Sequence, residues 1–210
     1  MKYMAIFNSV KQARGIPDKD DARLLADLNM VRHDIVHAAP WRVYVRKTAG
    51  AYAQGGFVVP GQLAGIVAVS SDDGRFYYFG DRAFVPANLG FRIWEFHLQG
   101  GSEWRVRMYG EDGAEVVAGV QYALLHWQFP DDLTLEALST TDYEFASTAP
   151  FISALHGRWL RYAEGRPEEA GAFESLYDRQ LAGMISLNPR AALPPPVNRG
   201  GTTYFPGYVM

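Results

Sequence analysis

The spacing of hydrophobic positions changes twice along the chain, and the changes mark three stretches. In the first forty residues apolar side chains recur every three or four positions. Lys2 to Arg14 contains no Gly or Pro and sets Ile6 and Val10 four apart, with Phe7 alongside. Gly15-Ile16-Pro17 closes this segment, with Gly where a left-handed cap carries no steric penalty. Asp18, Asp20 and Asp21 then gather where a second helix starts, and carboxylates there complement the helix dipole. Leu24, Leu28, Val31 and Ile35 form the stripe of an amphipathic helix. Pro40 ends it, because its ring disfavours helical geometry at the preceding residue.

From Trp41 to about Phe129 the period shortens to two. Trp41-Arg-Val-Tyr-Val-Arg alternates as a half-buried strand does. Further strands are predicted at Ile66 to Ser70, Phe76 to Phe79, Phe91 to Leu98, Trp104 to Tyr109 and Tyr122 to Phe129. Asp73-Gly74, Gly100-Gly101 and Asp112-Gly113 punctuate them and suit tight turns between antiparallel strands. Phe91, Ile93, Glu95 and His97 fall on one face of their strand. Arg92, Trp94, Phe96 and Leu98 fall on the other, which is mostly apolar and expected to be buried. The region reads as an antiparallel sheet folded on itself.

Helical spacing returns after Pro130. Phe151, Ile152, Leu155, Trp159 and Tyr162 mark a helix over Thr148 to Glu164, which Ser147 or Thr148 can cap through a hydroxyl. After the break at Gly165-Arg166-Pro167, Glu168 and Glu169 open a second helix with the apolar face Phe173, Leu176, Tyr177, Leu181, Met184 and Ile185. So short a break predicts an antiparallel hairpin. Asn188-Pro189 stops it. Pro194-Pro195-Pro196 then favours extended geometry, and Tyr204, Phe205 and Tyr208 give the remaining stretch aromatic anchors suited to a partner. The expected class is α+β: a helical domain from 1–40 and 146–188, an inserted antiparallel β-sandwich or barrel-like domain over 41–145, and an extended tail over 189–210.

Composition narrows the function classes. The 210 residues are 48% hydrophobic and 20% charged, which is the balance of a globular protein able to bury a core. The net charge of −3 and the lack of any Lys/Arg-rich run argue against a nucleic-acid grip driven by counterion release. With no cysteine, disulfides, thiolate metal sites and cysteine nucleophiles are excluded, and assembly in a reducing cytoplasm is expected. No apolar run reaches the roughly 18 residues of a membrane span, and Met1 to Val10 does not read as a signal peptide.

Candidate chemistry is sparse. His33-Asp34-Ile35-Val36-His37 places two histidines four apart on one helix face, the spacing of a zinc-binding HExxH helix. Asp in place of Glu has a shorter reach to a metal-bound water, and no third ligand stands nearby, so the two histidines read as flanking the apolar stripe. There is no GxSxG, GxGxxG or P-loop. His97, His126 and His156 sit among apolar neighbours. Asp72-Asp73-Gly74 and Asp131-Asp132 lack EF-hand spacing and read as turns. No catalytic residue, cofactor or metal is expected.

Three stretches, in this order, resemble the phage head-to-tail adaptor proteins, also called tail tubular protein A, connector or head-completion proteins. Ala22 to Val36, running on to Trp41, is similar to the family helix that leads into a tryptophan opening the β region. Phe57-Val-Val-Pro60 is similar to the family's "YALP" turn. Phe151 through Ile185 resembles the helix hairpin in which an "AL…LA..Y" helix pairs with a "YE…Y…L..M" helix. Tyr204-Phe205-Pro206-Gly207 is similar to an aromatic-Pro-Gly stretch of a short-tailed phage's tail accessory factor.

The resemblance implies a structural virion protein at the head-tail junction, not an enzyme. It implies a ring of copies, a dodecamer, between the portal protein and a tail nozzle or tail-tube protein, with passing DNA bound without sequence specificity. It also implies that Arg199, Tyr204, Phe205 and Tyr208 contact the portal. A mildly negative chain suits such a conduit, since a basic lining would hold the duplex. Two rivals belong to other classes: a cytoplasmic protein-binding module, such as a toxin-immunity protein, and a metal hydrolase using His33 and His37.

Overall fold

The computed structural model describes residues 1–58, 63–71, 75–79, 92–99 and 103–187. Within them the chain is α+β and separates into two compact units, Met1–Val43 with Phe129–Pro189, and Tyr44–Gln128. The first helix, α1 (Tyr3–Arg14), ends as its sequence requires. Gly15 takes φ 62°, and the amides of Gly15 and Ile16 reach back to the carbonyls of Gln12 and Lys11. This doubly bonded cap satisfies carbonyls that the helix end would otherwise leave open. A 3-10 turn at Asp18–Asp20 leads into α2 (Asp21–Ala38). The acidic cluster does more than complement a dipole: Lys11 Nζ sits 2.7 Å from Asp18 and 2.6 Å from Asp21, joining the end of α1 to the start of α2.

The helical unit is completed by α3 (Ala149–Tyr162) and α4 (Pro167–Leu187), which pack together as the expected hairpin. Thr148 holds the N-cap position without a side-chain capping bond, and the Ser147 hydroxyl before it accepts the Ala149 amide at 3.2 Å. Arg161 grips Glu174 through both carboxylate oxygens, at 2.7 and 2.6 Å, and Ser153 Oγ donates to Gln180 at 2.8 Å. The core is the expected stripe of α2 (Leu24, Leu28, Val31, Ile35) against Ile6 and Val10 of α1 and Phe151, Leu155 and Leu160 of α3, all essentially buried. On α4 only Ala170 and Met184 are fully buried, and the rest of its apolar face is half-buried.

The boundary with the β unit differs from expectation at both ends. Residues 129–145, expected within the β domain, lie with the helices. Asn29 of α2 exchanges two hydrogen bonds with the Leu133 backbone, at 3.0 and 2.9 Å, and the Tyr3 and Tyr143 amides bond to Thr141 and Met1. Trp41 does not open a strand. Its indole Nε1 donates to the Ile35 carbonyl at 2.5 Å, and its ring meets Phe145 edge-on at 5.2 Å. A half-buried alternation of six residues is too short to tell a strand from an aromatic helix exit.

Among the described residues the β unit is a seven-stranded sheet that does not close into a barrel. Its strands are β1 (Val45–Ala51), β2 (Phe57–Val58), β3 (Leu63–Ser71), β4 (Phe76–Phe79), β5 (Ile93–Gln99), β6 (Glu103–Tyr109) and β7 (Gln121–Gln128). The spatial order is β1-β7-β3-β4-β5-β6-β2, with β1 and β2 at its two ends. One pair, β4 with β5, is parallel, so the sheet is mixed and not purely antiparallel. The sheet curls until Phe57 of one edge strand stacks on Tyr122 of β7, with ring centroids 3.9 Å apart. The enclosed core holds Tyr52, Phe57, Val69, Tyr77, Trp94, Val106, Met108 and Leu124. Ile93 and Trp94, on opposite faces, are 1% and 5% exposed, so β5 is buried on both sides at this point.

Candidate functional site

The helical unit is organised around an aromatic chain and one ion pair. Tyr3, Tyr143, Phe145 and Phe151 contact one another at centroid distances of 5.3 to 5.8 Å, and Trp41 extends the chain through Phe145. Edge-to-face pairs of this kind add about 0.5–1.5 kcal/mol each beyond the area they bury. Beneath them Arg32 of α2 is 7% exposed. Its Nε and one terminal nitrogen donate to Glu144 Oε1 at 3.0 and 2.8 Å, and the other terminal nitrogen donates to the Asp131 carbonyl at 2.8 Å. The guanidinium also lies 5.3 Å from the centre of the Tyr3 ring. Burial of a charge is tolerated here because it is paired and hydrogen-bonded.

This packing leaves a groove of about 460 Å³ at one end of the helical unit, lined by Trp41, Arg42 and Val43, by Glu144 to Ala146, and by Met184 and Leu187. Three segments meet here: the exit from α2, the approach to α3, and the last turn of α4. Arg32 neutralises the Glu144 carboxylate in its wall, so the groove is chiefly apolar. It is suited to take a short apolar segment, and its one carboxylate is committed to an ion pair instead of to acid–base work. The β unit has a separate cavity of about 570 Å³, where Arg92 is oriented by the Ser71 hydroxyl at 2.9 Å and by the Tyr77 ring. Glu111 and Asp112 share that lining with Arg75 and Arg92, so neither sign of charge dominates it.

Four of the five histidines fall into three settings. His33 and His37 do share one face of α2, as their spacing requires, and both rings pack on Phe129, at 5.3 and 6.1 Å. His33 Nε2 also meets the Pro130 carbonyl at 3.1 Å and Asp132 at 3.3 Å. Among the described residues no group of three or more His, Cys, Asp or Glu is placed to hold a metal ion. His126 of β7 is 1% exposed and contacts the Thr48 hydroxyl at 3.1 Å. Burial, aided by the charge of Arg46, pushes its pKa down. His156 of α3 accepts from Arg14, and burial together with that guanidinium lowers its pKa as well.

The expected partner contacts Arg199, Tyr204, Phe205 and Tyr208 lie outside the described residues, as do Val59 and Pro60 of the turn stretch. The Arg32–Glu144 pair and the groove escaped sequence reading. A charged residue inside the stripe of α2 was the available signal: Arg32 directly follows Val31 on the buried side. Among the described residues no helix is long and apolar enough to cross a membrane. No protein-family model matches the chain, and no curated protein matches it in sequence.

Proposed function

We propose that the chain is a head-to-tail adaptor subunit of a phage particle, forming a ring between the portal and the next tail component. The observation that carries this reading is the interrupted helical unit. Two helices leave the chain at Val43, a β unit of Tyr44–Gln128 intervenes, and a helix hairpin rejoins the same core. That is the order in which the adaptor-like stretches of the sequence occur. A ring requires a heterologous interface whose rotation closes. The half-buried apolar face of α4, with Tyr162 exposed at the adjoining end of α3, supplies surface that a neighbouring copy can cover.

On this reading the protein works by contact alone. The helical unit forms the ring wall, the β unit faces the tail component, and Arg199, Tyr204, Phe205 and Tyr208 bind the portal in an extended conformation. Genome passage requires a lining that does not hold the duplex, which the net charge of −3 favours. The test is deletion of the gene from the phage that carries it. Heads are expected to package DNA and never acquire tails. Normal tailed particles from the deletion would overturn the reading, and a tight one-to-one complex with a toxin would replace it with the immunity alternative.

A further inference from the structure

The outward face of α2 carries a charge pattern that one copy of the chain leaves unmatched. Arg23, Ala26, Met30, Asp34 and His37 are all exposed and recur at spacings of three and four, so they line one stripe. Arg23 stands in the first turn, where it lies over the Trp159 ring and donates to the Tyr162 carbonyl, a neutral acceptor. Asp34 stands about 16 Å further along the axis. Among the described residues neither charge has an ion-pair partner. Each also sits toward the end of α2 whose dipole disfavours its sign. We propose that a second copy of this chain covers this face. The two α2 helices run antiparallel about a two-fold axis, so that Arg23 of each copy meets Asp34 of the other.

Self-complementarity is the reason to name a second copy as the occupant. A stripe with a cation near one end, an anion near the other and an apolar middle matches its own copy after a half-turn, which is the isologous contact of a two-fold dimer. The middle is built for contact. Met30 is 51% exposed, and an Arg158 terminal nitrogen donates to its sulfur at 3.0 Å. The same guanidinium is held by Asp27 at 3.0 Å and lies 5.5 Å from the centre of the Tyr162 ring. Arg158 is thus oriented before association, which lowers the ordering penalty. Met, Arg and Tyr are enriched where proteins meet, and Ala26 lets two helices approach closely. The contact is small, so a weak dimer is expected, half-formed at about 10 μM. The inference concerns the free chain in solution and does not rest on the adaptor reading, which calls on the α4 face.

Sedimentation velocity of the full chain over a concentration series tests it. The unaltered chain should pass from monomer to dimer and stop there. Arg23→Asp alone and Asp34→Arg alone each set like charges opposite one another at both ends of the contact, and each should weaken dimerisation by about tenfold or more. An equimolar mixture of the two variants restores opposite charges at both ends, so it should recover the dimer. Both positions are exposed, so neither change threatens the fold, and unshifted thermal midpoints verify this. An unaltered chain that stays monomeric at about 100 μM overturns the proposal. So does a dimer that neither substitution weakens, or a mixture of the variants that stays monomeric. A mass that climbs past the dimer with concentration also overturns it, because that marks a head-to-tail contact.

Discussion

Arg14 Nε donates a 2.8 Å hydrogen bond to His156 Nδ1, tying the last turn of α1 to the middle of α3. Phe173 of α4 completes the contact, 5.1 Å below the guanidinium and 5.3 Å from the imidazole. The bond requires a neutral ring: protonation at Nδ1 removes the acceptor and sets two cations side by side.

This geometry gives a pH dependence of known sign. His156 and His126 both have pKa values held below the ordinary 6.5, chiefly by burial. The unfolded chain therefore binds more protons than the folded one between 6.5 and the folded-state values. Stability is complete above pH 6.5, falls as the pH drops below it, and levels off beneath the folded-state pKa values. Urea midpoints measured from pH 7.5 to 5 should show this decline. His156→Gln keeps an acceptor for Arg14 but does not titrate, so it should flatten part of the slope. An unchanged slope would show that Arg14 is not bonded to an imidazole that must stay neutral.

Removing one partner of the Arg32–Glu144 pair strands a buried charge. Arg32→Met is expected to destabilise the protein by about 3–5 kcal/mol, whereas replacing both partners with apolar residues should recover much of that loss. Denaturant midpoints of the two single variants and the double variant provide the comparison. Additive losses would show that the two side chains do not act as a pair.

Gly65 of β3 lies against Trp127, and a Cβ built there would clash with Cη2, Cζ2 and Cζ3 of the indole. Gly65→Ala should therefore destabilise the β unit by about 1–3 kcal/mol through overpacking. A thermal scan checks it, and an unchanged midpoint would mean the indole moves aside freely.

Tyr52 is almost fully buried, donates to Glu115 at 2.8 Å and accepts the Met108 amide at 3.2 Å. Tyr52→Phe leaves that amide without its acceptor, for an expected loss of about 1–3 kcal/mol in denaturant unfolding. A neutral substitution would mean water replaces the hydroxyl.

Much of the fold was legible because local physics dictated it. The stripe Leu24-Leu28-Val31-Ile35, the glycine cap at Gly15 and the break before Pro167 each act within a few residues. Trp41 was misplaced because its alternating neighbours imitate a strand while its indole answers to a carbonyl of the preceding helix. Residues 129–145 read as part of the β domain because nothing in their own sequence announces Arg32 and Asn29, which fix them from more than ninety residues away. The parallel β4–β5 pair was invisible for a related reason: strand order is set by long-range closure, and alternation carries no information about it. The groove assembles from three separated segments, so no single motif could reveal it.

The proposed role is that of a building block of a particle at the head-tail junction. Quantitative mass spectrometry of purified virions from the encoding phage tests it most directly. The chain is expected in mature particles, at a fixed ratio to the portal protein that matches a closed ring. Complete absence from mature particles would contradict it.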